Sequence, residues 1–156
     1  MILGLGLAQA ITPAERSIAQ STVSTGTVDV VPAEYQLGQE LYLENCATCH
    51  VGIPPALMPT DSWREILTES AHYGAEITPI FEPAIQIVWN YVSLYSRPLK
   101  ADESIPFRLR SSRYFKALHP RVEFAEPVNV RSCATCHPGA EQFDYRSLAP
   151  EWEDAP

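Results

Sequence analysis

Apolar residues recur at helical spacing in three stretches of the chain, and a fourth reads as a shorter helix. From Ala33 to Cys49, Leu37, Leu41, Asn45 and Cys49 follow one another at intervals of four, which predicts one helix with that stripe turned inward. Pro32 suits its first turn, where a backbone N–H would be unpaired in any case. The capping box Ser62-x-x-Glu65 announces a second helix, with Trp63, Ile66 and Leu67 as its buried stripe and Gly74 as its stop. A third runs from Pro83 to Tyr95, carries Ile85, Val88, Trp89, Val92 and Tyr95 inward, and ends ahead of Pro98. The fourth covers Ser111 to Leu118 and is halted by Pro120. No stretch alternates with a period of two, so no sheet is expected. The pattern predicts a mostly α protein of short helices and long irregular connections.

The ends lack such patterning. Residues 1–10 form a short apolar stretch closing on Ala8-Gln9-Ala10, the small-x-small pattern of a signal-peptidase site, though without a basic start. They read as the remnant of an export signal cleaved after Ala10, against the alternative of a plain apolar tail. Residues 11–32, rich in Ser, Thr and Val, read as a tether, residues 33–150 as the folded domain, and 151–156 as a tail. Composition sharpens this picture. A chain of 156 residues suits one small domain, and 14 prolines beside 7 glycines explain why its helices should be short. With 19 acids against 11 bases and a net charge of −8, the chain has no general basic footprint for nucleic acid. It also has no apolar run of about 18 residues that could span a membrane.

All four cysteines fall in two copies of one pentapeptide, Cys46-Ala47-Thr48-Cys49-His50 and Cys133-Ala134-Thr135-Cys136-His137. C-x-x-C-H is the attachment signature of c-type haem. On one helical turn residues i, i+3 and i+4 face the same way, so two thiols reach the vinyl groups while the imidazole reaches iron. A zinc ribbon would separate its cysteine pairs by roughly 15–20 residues, whereas 83 lie between Cys49 and Cys133. Zinc, disulfides and a thioredoxin-like redox pair would each leave the histidines unexplained. Two covalent haems therefore define the chemistry, and their attachment implies an extracytoplasmic location in the periplasm or an equivalent lumen.

Each iron has a second face, open for gas or substrate or closed by a further side chain. Outside the motifs stand His72, His119, Met1 and Met58. Two irons and two spare histidines suggest bis-histidine ligation at both, by His50, His72, His119 and His137. Pairing His50 with His72 and His119 with His137 closes loops of 22 and 18 residues, against 69 and 65 for the swapped pairing. Closure entropy favours the local pairs by only about 1 kcal/mol per haem. One point stands against His72: on an ideal helix from Trp63 it falls opposite the buried stripe, so it must lie past the helix end or the haem must sit on the other face. Met58, eight residues after His50 in a proline-bound segment, reads as packing. Two bis-histidine haems imply low potentials.

Eight of the 11 basic residues lie between Arg97 and Arg131, giving that stretch a charge of +4 and the remainder −12. Arg108, Arg110 and Arg113 are candidate contacts for haem propionates. The acidic remainder suits a positively charged redox protein, whose encounter it would steer.

The run from Gly38 to His50 resembles the opening of small cytochromes c. Pro54-Pro55, Leu57, Pro59, Ser62-Trp63-Arg64, His72-Tyr73-Gly74, Phe115, His119, the second motif and Gly139-Ala140-Glu141-Gln142 extend the likeness. In order and spacing, residues 42–148 are similar to the bacterial di-haem cytochrome c family, small exported electron carriers with bis-histidine haems. The resemblance implies His72 and His119 as distal ligands, no catalysis, and a redox protein partner. That partner would be an oxygen-binding monohaem cytochrome, which some members serve, or a membrane-bound electron donor. The Ser/Thr tether and Met58 in place of an expected Leu depart from the pattern, and neither touches a ligand. Two rivals remain: a haem enzyme or gas sensor with one open iron, and the electron-donating small subunit of a periplasmic reductase.

Overall fold

The fold is seen in a computed structural model that describes residues 30–153. The export signal, almost all of the tether and the last three residues lie outside the described residues. Five helices and one minimal hairpin follow in the order α1 (Ala33–Cys46), α2 (Thr60–Thr68), β1 (Ala71–His72), β2 (Ala75–Glu76), α3 (Ala84–Tyr95), α4 (Arg113–Leu118) and α5 (Cys133–Cys136), joined by irregular segments with short 3-10 turns. The architecture is mostly helical, as the periodicity predicts, with the hairpin as an addition.

The centre of the fold is the crossing of α1 and α3. It depends on Gly38, which is buried on α1. A Cβ there would stand 2.6 Å from Tyr91 Cβ and 2.8 Å from the Ile87 carbonyl oxygen. The inward face of α1 is therefore Gly38, Gln39 and Tyr42 rather than the Leu37 stripe, and Leu37 is half exposed. Gln39, although polar, is accommodated because its amide donates to the Tyr91 hydroxyl at 3.4 Å. The helix also stops at Cys46, three residues earlier than the four-residue spacing predicts, with the Ala47 N–H donating to the Leu43 carbonyl. Replacing a mid-helix Gly by Ala ordinarily gains about 0.5–1 kcal/mol. At Gly38 the sign reverses: Gly38→Ala should cost about 1–3 kcal/mol through overpacking, read as a lower denaturation midpoint of the haem-loaded protein.

Tyr42 anchors the core. Its hydroxyl donates to the Ile53 carbonyl at 2.6 Å and accepts from the Ile53 N–H at 3.1 Å, while its ring meets Trp63 edge-on at 5.7 Å. Trp63 in turn donates its indole N–H to the Pro55 carbonyl at 2.8 Å. Trp63 and Leu67 are buried on α2, as the stripe predicts, but the capping box is not formed. The helix begins three residues earlier, behind Pro59, so Ser62 sits inside it with a buried, unpartnered hydroxyl. Gly74 does not stop α2 either. It occupies the turn of the hairpin at φ 99°, beside Tyr73 at φ 52°, the left-handed pair that tight hairpins require.

Arg97, one of the basic cluster, is a buried strut. Its guanidinium forms two hydrogen bonds to Glu103, at 2.7 and 2.5 Å, and a third to Ser112 Oγ at 3.4 Å. Ser112 donates to the Leu57 carbonyl, and the Arg97 carbonyl accepts the Thr60 N–H at 2.8 Å. This knot joins the start of α2, the end of α3 and the start of α4.

Candidate functional site

The two pentapeptides adopt different backbones. The first follows the end of α1 as a series of bends, so its cysteines do not share a helical turn. The second is itself one turn of helix, closed by the His137 N–H donating to the Cys133 carbonyl at 2.9 Å. The one-turn account of the spacing therefore fits the second motif and not the first. No disulfide joins any two of the four cysteines. Among the described residues no three His, Cys, Asp or Glu side chains gather as a metal cluster, and a four-thiolate zinc centre is therefore not assembled.

The structure brings the histidines together in two pairs, His50 with His72 and His119 with His137. In both, the ring centroids are 6.2 Å apart. A metal–imidazole bond is about 2 Å and the ring centre lies roughly 1 Å behind the nitrogen. Two imidazoles on opposite sides of one metal must then be about 6 Å apart, and both pairs meet that requirement. The residues present fit haem iron at both places.

Different local devices hold each ring. His72 lies past the end of α2, on the β1 strand of the hairpin, which removes the conflict with the α2 stripe. Tyr73 packs edge-on against it at 4.9 Å. The His50 Nδ1–H donates to the carbonyl of Val51 at 2.8 Å. His119 terminates α4 ahead of Pro120, where the last helical carbonyls lack intrahelical donors. Its Nδ1–H donates to the Phe115 carbonyl at 2.8 Å, and its ring stacks on Phe115 at 4.4 Å. With Nδ1 protonated in His50 and His119, Nε2 is left as the free donor for a metal. His137 Nδ1 is buried without a partner of good geometry, and its ring packs at 5.5 Å from Tyr145. Burial first and the facing imidazole second lower the pKa values of His72 and His137, which favours the neutral, ligating form.

A cavity of about 650 Å³ opens beside His119, walled by Arg110, Phe115, Lys116, Phe124 and Val128 among others. Of the candidate propionate contacts, Arg110 is on this wall. Arg108 lies over the rings of Tyr73 and Phe107, at 4.9 and 5.0 Å, close to His72. Arg113 is held by Asp102 at 3.1 Å on the surface. Met58 is buried in the core at 2% exposure.

Tyr145 is the functional neighbour that sequence reasoning misses. Its hydroxyl donates at 2.6 Å to the carbonyl of Gly52, two residues after His50, while its ring faces His137. It ties the segment after His50 to the segment after His137 across 93 residues of chain. An isolated tyrosine in a polar segment gives no periodic signal that could have marked it.

Several known proteins are similar to this chain. Crystallised DHC from Rhodobacter sphaeroides is similar, with 27% identity and a TM-score of 0.50 over 66% of this chain and 93% of that one. A diheme cytochrome type c from Shewanella baltica OS155 shares 18% identity over 72% of this chain and 86% of its own, with a TM-score of 0.48. No protein of curated function matches significantly. A family model for dihaem cytochrome c matches residues 42–145, from the Tyr42 anchor to Tyr145 and across both pentapeptides and all four histidines. The chain therefore belongs to the dihaem cytochrome c family and carries two c-type haems.

Proposed function

We propose that this protein is an extracytoplasmic carrier of single electrons whose two irons are each closed by a histidine pair. Cys46 and Cys49 hold the first haem, with His50 and His72 as its axial ligands. Cys133 and Cys136 hold the second, with His137 and His119. When bound, the haem supplies reversible one-electron chemistry at iron. The observation that carries the reading is the common 6.2 Å separation of the two imidazole pairs, the spacing that two histidines closing both faces of one iron would need.

The remaining residues keep that arrangement fixed. Carbonyls of Val51 and Phe115 set the tautomers of His50 and His119. Arg108, over the Tyr73 ring, and Arg110, on the cavity beside His119, would be available to pair with propionates, while Arg113 already has a carboxylate partner. Outside the stretch from Arg97 to Arg131 the charge is −12, which suits a basic redox protein as partner, an oxygen-binding monohaem cytochrome or a membrane-bound donor among them. Among the described residues no helix is long and apolar enough to cross a membrane. Export through residues 1–10 accounts for haem attachment outside the cytoplasmic membrane.

The deciding experiment is a carbon monoxide difference spectrum of the fully reduced protein, with haem counted against protein. Two haems and no carbon monoxide adduct are expected. Rapid binding at one iron would replace this reading with a haem enzyme or gas sensor.

A further inference from the structure

Although both histidine pairs have the same separation, they differ in orientation. The rings of His50 and His72 lie 17° from parallel, whereas those of His119 and His137 stand at 84°. We propose, on the bis-histidine reading above, that the chain makes its two irons electronically unlike by holding one imidazole pair near-parallel and the other near-perpendicular.

The consequence follows from orbital symmetry. Each imidazole donates π density into the iron d orbital whose lobes extend normal to its ring plane. Two rings in one plane act on the same orbital and split it from its partner, while two crossed rings act equally on both and leave them close in energy. Ferric low-spin iron of the first kind gives a rhombic magnetic spectrum with three resolved features. The second kind gives one dominant low-field feature.

The surrounding residues show why the two angles are not free to average. The first pair is fixed by short-range devices: His50 is tied to the carbonyl of the next residue, and His72 rides on a two-residue strand with Tyr73 against its ring. The second pair is fixed by packing. His119 is hydrogen-bonded at Nδ1 to Phe115 O and stacked on the Phe115 ring at 30°, with Phe124 at 5.8 Å behind it. His137 meets Tyr145 at 60°. A ring pinned by both a hydrogen bond and a stacked neighbour has one rotational position. Phe115 is thus a positioning residue for the second iron, acting through His119.

Low-temperature electron paramagnetic resonance of the fully oxidised, haem-loaded protein tests this. One rhombic and one low-field low-spin signal are expected, in equal amounts. His72→Ala should abolish the rhombic signal alone. Phe115→Leu should move the low-field signal and leave the rhombic one, and Phe124→Leu, at a half-exposed site, is the substitute if the core variant does not fold. Two signals of one kind, or loss of the low-field signal in His72→Ala, would overturn the proposal. A low-field signal unmoved by the folded Phe variant would remove the positioning role. High-spin iron in the unmutated protein would instead strike down the bis-histidine reading on which the proposal rests.

Discussion

On the proposed bis-histidine ligation, His72→Ala should convert a protein expected to bind no carbon monoxide into one that binds it at one haem of its two, with half of the reduced low-spin spectrum lost. The reason lies in how weakly the rest of the protein engages His72. It stands on an exposed hairpin, and its ring contacts are His50 and Tyr73. Removing it takes nothing from the Tyr42–Trp63 core, so the loss should fall on the axial position. On the same reading the second haem would keep His119 and His137, whose supports come from α4 and the segment around Tyr145. A spectrum in which both haems stay low-spin and refuse carbon monoxide would show that another group closes the first iron. The matching change at the second site, His119→Ala, also strips a half-buried ring from its stack on Phe115. Its spectral effect should therefore come with some loss of stability, which makes His72 the cleaner test.

How much of this was legible in the sequence depended on what fixed each feature. The pentapeptides were legible because covalent attachment dictates their spacing whatever the backbone does, and the backbone indeed differs between them. Helix α3 was legible to within one residue, since its apolar stripe is bounded by Pro83 and Pro98. Helix α1 was misread in its face and its end. Its true inward side pairs a glycine, needed for close approach to Tyr91, with a glutamine satisfied by a hydroxyl 52 residues away. Hydrophobic periodicity cannot register either one. The capping box at Ser62 was overridden by Pro59, which starts α2 earlier. The hairpin escaped because strands of two residues are too short to alternate, although Tyr73-Gly74 was the turn signal that could have marked it. Arg97 looked like one of a basic cluster, and only its contact with Glu103 separates it from its neighbours.

That contact carries the second large effect. Both side chains are almost wholly buried, at 6% and 5% exposure, and Arg97 reaches Glu103 through two hydrogen bonds. Breaking a buried pair by removing one partner strands the other charge and costs about 3–5 kcal/mol. Glu103→Gln should show a loss of this size at neutral pH in denaturant unfolding, compared at equal haem content. The pH dependence has a definite sign. Hydrogen bonds from Arg97, more than charge alone, hold the Glu103 carboxyl below its usual range. A depressed carboxylate adds its full stabilisation above the unfolded pKa, about 4.3, and loses it as pH falls through the lower folded value. The stability of the unmutated protein should therefore fall across that acid window, while that of Glu103→Gln stays flatter and the gap between them closes. Replacing both partners by apolar residues, Arg97→Met with Glu103→Leu, should recover much of the loss, since neither charge is then buried alone. A Glu103→Gln protein within about 0.5 kcal/mol of the original would mean that the pair is hydrated and contributes no more than a surface bridge. The knot also sets where α4 begins, through Ser112 and the guanidinium over Tyr114, and α4 delivers His119. On the proposed ligation, a loosened knot should therefore appear at the second haem before the first, as a broadened low-spin spectrum at the iron that His119 would close.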